Sequence, residues 1–233
     1  MKNIIINIFA DGASLNEIFN LNKKKYISGF TTNPSLMLQE NIKNYKKFAF
    51  KILKRIKHKP ISFEVISDNF LEMEKQAREI NTWSKNIFIK IPFTNSKGKK
   101  SLNLIKKLSN EGLKINVTSI FTYQQVKEVL KVLNKKYDNY ISVFAGRIAD
   151  TGINPSIILE KSVKICKKYN KIKILWASCR EVYKIFEAQK IGCHIITVPY
   201  SIIRKFKLLG KNLNKYSIET SKEFYIASKK IIF

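Results

Sequence analysis

The sequence predicts a closed (β/α)8 TIM barrel with an additional C-terminal helix, and three observations lead to it. Eight apolar runs alternate with stretches of helical periodicity along the chain, the order that a parallel barrel requires. Most of the runs are apolar nearly throughout, as strands covered on both faces should be. Their polar residues gather toward the C-terminal ends, where a barrel of this kind carries its chemistry. An open α/β sheet shares the alternation and is the alternative. At 233 residues and 27.1 kDa the chain suits one barrel better than two domains. No linker, low-complexity tail or further repeat interrupts it, so residues 1–233 read as a single domain in which 211–233 form a helical extension.

The first strand is expected over Ile4 to Phe9. Met1-Lys2-Asn3 gives this start the look of an export signal, but the apolar run stops at Asp11 without a small-residue cleavage site, so it reads as a strand. Ser14 is placed to cap a helix through Lys23. Strand two, Tyr26 to Phe30, runs into Thr31-Thr32-Asn33-Pro34, where Pro34 suits the first helical position and Asn33 either caps that helix or faces a ligand. This helical region extends to Lys57 with a break near Asn41. Strand three covers Ile61 to Ile66 and contains Glu64, a carboxylate that needs a partner inside a strand.

The spacing of Phe70, Met73, Ala77 and Ile80 marks a helix from Asn69 to Ser84, ahead of the strand at Ile87 to Ile91. A helix is expected from Ser96 to Asn110, and Gly112 turns the chain into strand five, Leu113 to Thr118. Then come a helix over Thr122 to Lys135, strand six over Tyr140 to Phe144, and a helix over Ile153 to Tyr169 behind Gly152. Strand seven at Lys171 to Ala177, a helix at Arg180 to Gln189 and strand eight at Cys193 to Val198 complete the ring. Beyond Ile202 the pattern offers a short eighth helix and, after Gly210 and Asn214, an amphipathic one.

Composition narrows the function classes. The net charge of +27, from 44 Lys plus Arg against 17 Asp plus Glu, would ordinarily point to nucleic acid or an anionic membrane. Here lysine is spread along the whole chain together with Asn and Ile, without an arginine-rich block, so no specific nucleic-acid binding is expected. No apolar stretch is long enough to span a membrane, and a cytoplasmic location is expected. Cys166, Cys179 and Cys193 lack metal-ligand spacing and read as reduced core thiols. His58 and His194 read as a surface residue and a strand residue.

Lys90 is the residue that periodicity leaves unexplained. It stands in Ile87-Phe88-Ile89-Lys90-Ile91-Pro92 with apolar neighbours on both sides. Burial disfavours a charged ammonium, and an uncharged amine attacks carbonyl carbon to form a Schiff base. A snorkelling surface lysine is the alternative. If every strand runs to one rim, Asp11, Asn33, Glu64, Asn116, Thr118, Ser142, Arg147, Ser178 and Arg180 converge there with Lys90. Each has a structural role open to it alone: Asp11 and Asn33 can cap helices, Thr118 can satisfy backbone groups, and Arg147 can pair with Asp150.

Thr31-Thr32-Asn33-Pro34-Ser35, Lys90-Ile91-Pro92, Asn116-Val117-Thr118, Ser142-Val143-Phe144-Ala145-Gly146-Arg147-Ile148 and Ala177-Ser178-Cys179-Arg180 resemble the transaldolase family, in unbroken order across all eight strands. In length the chain is similar to the compact members, a group that includes the fructose 6-phosphate aldolases. The resemblance implies a class I aldolase barrel of the pentose phosphate pathway that needs no cofactor and no metal. It passes a dihydroxyacetone unit between sugar phosphates, from sedoheptulose 7-phosphate or fructose 6-phosphate to an aldose phosphate. It further implies that Lys90 forms the imine, that Glu64 moves protons through a water held with Thr118, and that Asp11 takes the C4 hydroxyl proton. Asn33 and Asn116 would hold the three-carbon enamine. Arg147, Ser178 and Arg180 would clamp phosphate, and Ser142 would orient substrate or water. Compact members form homo-oligomers, so a pentamer or decamer is expected.

Glu64, Ser142 and Phe144 resemble transaldolases, whereas the fructose 6-phosphate aldolases carry Gln, Ala and Tyr in those places; transfer is therefore expected, with aldol cleavage as the alternative. A barrel used only for binding or assembly is a third reading. The chain departs from the family's pattern at Gly12, Trp176 and Cys179, and Trp176 is expected either to repack the barrel or to narrow the sugar pocket.

Overall fold

The computed structural model describes residues 4–232, so Met1-Lys2-Asn3 and Phe233 lie outside the described residues. Eight parallel strands pair in sequence order: β1 (Asn7–Asp11), β2 (Ile27–Thr31), β3 (Ile61–Glu64), β4 (Ile87–Pro92), β5 (Ile115–Ile120), β6 (Asn139–Val143), β7 (Ile172–Trp176) and β8 (Ile195–Pro199). β8 pairs back onto β1, with Asp11 opposite Pro199. That last ladder closes the barrel and removes the open-sheet alternative.

The helices are α1 (Leu15–Asn22), α2 (Pro34–Gln39), α3 (Tyr45–Arg55), α4 (Phe70–Trp83), α5 (Leu102–Asn110), α6 (Tyr123–Val132), α7 (Ala145–Ala149), α8 (Pro155–Cys166), α9 (Tyr183–Ile191), α10 (Tyr200–Ile203) and α11 (Leu213–Ser228). A 3-10 helix over Arg204–Leu208 continues α10. Among the described residues no helix is long and apolar enough to cross a membrane.

Alternation along each strand sorts the side chains into two cores. Outward residues such as Ile8, Ile89, Val117, Ile141 and Val198 pack against the inner faces of the helices, where Ile52, Met73, Leu108 and Leu159 meet them. Each such burial contributes roughly 1.5–3 kcal/mol. Inward residues Phe9, Phe88, Tyr140, Leu175, Ala177 and Ile195 form a separate cluster inside the ring. Phe88 and Tyr140 stack with centroids 3.8 Å apart, and Phe9 meets Tyr140 edge-on. Gly29 leaves room for this layer, since a Cβ there would stand 2.6 Å from the Phe9 ring.

Several boundaries differ from the sequence expectation for identifiable reasons. β1 starts three residues late because the Ile5 and Ile6 N–H groups are donated to Gln189 Oε1 instead of a strand. β3 stops at Glu64; the next free N–H groups, of Ile66 and Ser67, go to Gln76 Oε1. The segment from Ser96 is a turn with Gly98 at φ 75° and a Thr94–Lys100 bridge, so α5 begins only at Leu102. Asn41 breaks the second helical region at φ 53°, and Asn44 caps α3. Phe144, expected at the end of a strand, is the N-cap of the unexpected short α7.

β5 runs on to Ile120 through a bulge at Ser119, which sits at φ 57°. α9 starts at Tyr183 instead of Arg180, leaving Ser178 to Arg180 in a loop on the rim. His194 precedes β8 and is not part of it. α11 follows the ring and buries no residue; Leu213, Ile218, Phe224 and Tyr225 are exposed on it.

Candidate active site

The C-terminal ends of the strands surround a cavity of about 540 Å³. Inward parity on β4 carries Phe88 into the aromatic layer and Lys90 above it, and strand register sets Lys90 opposite Glu64 of β3 and Asn116 of β5. Lys90 is 7% exposed, which removes the surface-lysine alternative. Its Nζ donates to the Thr32 carbonyl at 2.6 Å and stands 3.1 Å from Glu64 Oε2. The other oxygen of Glu64 accepts from the Thr118 hydroxyl at 2.9 Å. One carboxylate thus spans an amine and a hydroxyl, so the strand carboxylate and the strand lysine explain one another.

Asp11 closes the opposite side of the cavity. The Thr31 hydroxyl donates to its Oδ1 at 2.7 Å, and the Thr31 and Thr197 hydroxyl oxygens lie 2.5 Å apart. Since the Thr31 proton is directed at Asp11, Thr197 is the donor to Thr31. Part of the Asp11 residue reaches solvent, yet desolvation in the barrel mouth holds its pKa above the ordinary aspartate value. The Lys90 charge and the Thr31 hydrogen bond oppose that rise, while the Glu64 charge adds to it.

A second polar chain lies deeper. Asn116 is fully buried, donates from Nδ2 to Ser62 Oγ at 3.1 Å and accepts from the Ser142 hydroxyl at 2.6 Å. Both ends of its amide are therefore occupied by serines, and of the three only Ser142 lines the cavity. Thr118 likewise stands behind the wall and acts through Glu64. Asn33 caps α2, as one of its two expected roles requires, by accepting from the Leu36 N–H at 3.0 Å, and it also lines the cavity.

The phosphate-clamp candidates are at the outer rim. Arg147 is exposed, with its guanidinium 5.8 Å from the Phe144 ring. Asp150 pairs with Arg180 at 2.7 Å and not with Arg147, because the loop after β7 brings Arg180 to the C-terminal end of α7, which Asp150 caps. That loop is held by close approach of two backbones. A Cβ on Gly146 would stand 1.7 Å from the Ser178 carbonyl oxygen, and Ser178 itself is at φ 62°. Gly146→Ala is therefore expected to destabilise the fold by about 1–3 kcal/mol, read as a lowered Tm; an unchanged Tm would show that this approach is not tight.

Trp176 does not narrow the cavity. Parity turns Leu175 inward and Trp176 outward, to the helix-facing core, where its indole N–H has no partner among the described residues. Cys179 lines the rim and its thiol, buried and donating to the Glu181 carbonyl, is pushed up to about 11. Gly12 has open space where a Cβ would be. Polar lining residues to which the sequence assigns no site role include Thr31, Gln39, Thr197 and Ser119. Thr197 had a signal, being the inward polar residue of an otherwise apolar strand; the bulge at Ser119 had none.

This geometry can be set beside known proteins. Residues 8–231 match the model of the Transaldolase/Fructose-6-phosphate aldolase family. A "Probable transaldolase" of Thermoanaerobacter sp. (strain X514) is 37% identical over 219 residues, 94% of this chain and 96% of that relative. Another of that description from Clostridium kluyveri is 38% identical over 85% of this chain and 88% of the relative. Among solved structures, a flavocytochrome b2 variant with benzoylformate superposes with a TM-score of 0.55 at 10% identity, over 84% of this chain and 56% of that one; this likeness concerns the fold alone. A match spanning nearly every strand, together with full-length relatives above 30% identity, leads to one conclusion: the chain belongs to the transaldolase/fructose-6-phosphate aldolase family.

Proposed function

We propose that this enzyme is a transaldolase that transfers a dihydroxyacetone unit between sugar phosphates through a Schiff base on Lys90. The observation that carries the reading is the buried Lys90 amine, held 3.1 Å from the Glu64 carboxylate with Asp11 across the same cavity. To attack, the amine must give up a proton, and Glu64 is the base beside it. Nitrogen adds to the ketone carbon of fructose 6-phosphate or sedoheptulose 7-phosphate, and the carbinolamine oxygen leaves as water on receiving a proton from Glu64. Asp11 then takes the C4 hydroxyl proton, the C3–C4 bond breaks, and its electron pair passes into the iminium to give an enamine. The aldose phosphate departs, and the enamine attacks a second aldose phosphate by the reverse steps.

A carboxylate whose pKa is raised by desolvation is a stronger base than an ordinary aspartate, which suits Asp11 to this step. Phe144 in place of a tyrosine leaves one hydroxyl fewer near the enamine, favouring survival of the enamine over hydrolysis. The second reading is a fructose 6-phosphate aldolase. Product analysis with fructose 6-phosphate separates the two. Sedoheptulose 7-phosphate formed when erythrose 4-phosphate is present supports transfer, whereas dihydroxyacetone released at the same rate with or without the acceptor would establish the aldolase.

The Arg147 guanidinium meets no carboxylate among the described residues, so it is the side chain available for a substrate phosphate. Arg147→Ala is expected to lower the kcat/KM ratio of phosphorylated over unphosphorylated substrates by about tenfold or more; an unchanged ratio would remove it from the clamp. The exposed apolar face of α11 supports assembly with further copies of the chain, and a monomer by sedimentation at all concentrations would refute that part.

A further inference from the structure

The N-terminal end of the ring holds a second cavity, of about 600 Å³, that the catalytic reading does not use. Its floor is the underside of the aromatic layer, and Lys57, Lys85, Lys114 and Lys173 converge on it from four different elements and loops. Against these four ammonium groups the lining holds one carboxylate, Asp138, which already has Lys171 at 3.5 Å.

Two side chains inside this mouth lack the partners their chemistry calls for. Lys173 lies on β7 opposite Tyr140, in the inward register that continues to Leu175. Among the described residues no carboxylate or hydrogen-bond acceptor meets its amine. Tyr140 is 6% exposed and lines the cavity, and its hydroxyl has no hydrogen-bond partner among the described residues. Lys173 is half-buried, and both polar ends open onto the cavity, where each is available to donate to a ligand that carries oxygen acceptors. His194 adds a third donor. Its Nδ1 accepts the Ile174 N–H at 3.1 Å, which leaves the ring proton on Nε2. Burial and the Lys173 charge hold that imidazole below its ordinary pKa, so it stays neutral.

The mouth is also preformed. Asn139, fully buried, accepts the Ile115 N–H and donates to the Asn134 and Tyr137 carbonyls, and Asn86 donates to the Lys59 carbonyl at 2.6 Å. Lys114 reaches the Lys85 carbonyl at 2.8 Å. The loops that present the lysines are thus tied to one another.

We propose that this N-terminal mouth is a second anion site that takes a small molecule carrying two or more phosphate groups. Ammonium groups set around a concavity match a compact cluster of phosphate charges. The volume lies within the usual range of small-molecule pockets.

The test is calorimetric titration of the full chain with inorganic triphosphate and, separately, with adenosine triphosphate, both without metal and at low ionic strength. Binding of at least one probe is expected, weakened at least about tenfold in Lys85→Ala/Lys173→Ala. The conservative Lys173→Met should weaken it in the same direction while keeping the packed stem. One control, Lys161→Ala/Lys164→Ala on the exposed face of α8, should bind as the parent does, and Arg147→Ala/Arg180→Ala should remove only the binding that the other mouth contributes. Tighter binding of the nucleotide would assign part of the affinity to the aromatic floor, and equal binding would assign it to the phosphate chain. The proposal is overturned if neither probe binds, if the α8 control loses as much as the cavity variants, or if the arginine pair abolishes binding.

Discussion

Lys90→Ala is expected to abolish both the borohydride-trapped adduct with fructose 6-phosphate and all transfer to erythrose 4-phosphate. Intact mass and peptide mapping read the first, product analysis the second. The same substitution leaves Glu64 in the barrel mouth with only the Thr118 hydroxyl. Removing one member of a buried ion pair costs about 3–5 kcal/mol, because the remaining charge is left uncompensated. A lowered Tm should therefore accompany the lost activity, and it must not be taken for the cause. The double variant Lys90→Met/Glu64→Gln separates the two effects, since it removes both charges and keeps similar volumes. It should recover most of the stability and none of the adduct. An adduct that persists in Lys90→Ala, or maps to another lysine, would end the assignment.

Asp11→Asn should slow turnover by at least about a hundredfold, the usual scale for a positioned acid or base, while making the fold more stable at neutral pH. The two effects have one origin. Desolvation raises the Asp11 pKa above 3.8 in the folded state, so the folded chain holds this proton more tightly than the unfolded chain does. Stability then falls as pH rises from about the ordinary aspartate value through the raised one, and it stays reduced above both. Asparagine removes that loss and keeps an oxygen for the Thr31 hydroxyl. The Tm difference between variant and parent should be positive at pH 7 and should vanish below the ordinary aspartate pKa. A variant no more stable than the parent at pH 7, or one with near-normal kcat, would defeat this account of Asp11. Glu64→Gln should also slow the reaction about a hundredfold or more.

Most of this site is legible in the sequence because one parity rule governs every strand. Lys90 stands out as the polar residue of an apolar strand, and Asp11, Glu64, Thr118 and Ser142 occupy the corresponding place on theirs. What parity cannot say is which of two adjacent apolar residues faces in. Leu175 and Trp176 look equivalent until register with β6 and β8 assigns Leu175 to the interior. Partnership is hidden too. The contact of Thr31 with Thr197 joins residues 166 positions apart, and it needs the geometry of β1 with both of its neighbours. The pairing of Arg180 with Asp150 depends on where a loop crosses, and the positive φ at Ser119 reflects a bulge that no residue type announces. The lysines of the N-terminal mouth are invisible for another reason: in a chain with 44 Lys plus Arg, convergence in space leaves no mark along the sequence.

The ladder between β1 and β8 has a consequence for when the chain becomes chemically competent. Asp11 lies in the first strand of the ring to be synthesised, yet it pairs with Pro199, and its threonine partner is bonded by Thr197. A nascent chain that already contains Lys90 and Glu64 can form the neighbouring β3 and β4 ladder, which is local, long before β8 exists. The base proposed for the carbon–carbon cleavage waits for the last strand and for closure of nearly the whole chain, a contact of long sequence separation and the slowest kind to form. Fragments released early would carry Lys90 without the finished pocket, and under the proposed mechanism turnover would begin only when the ring is complete.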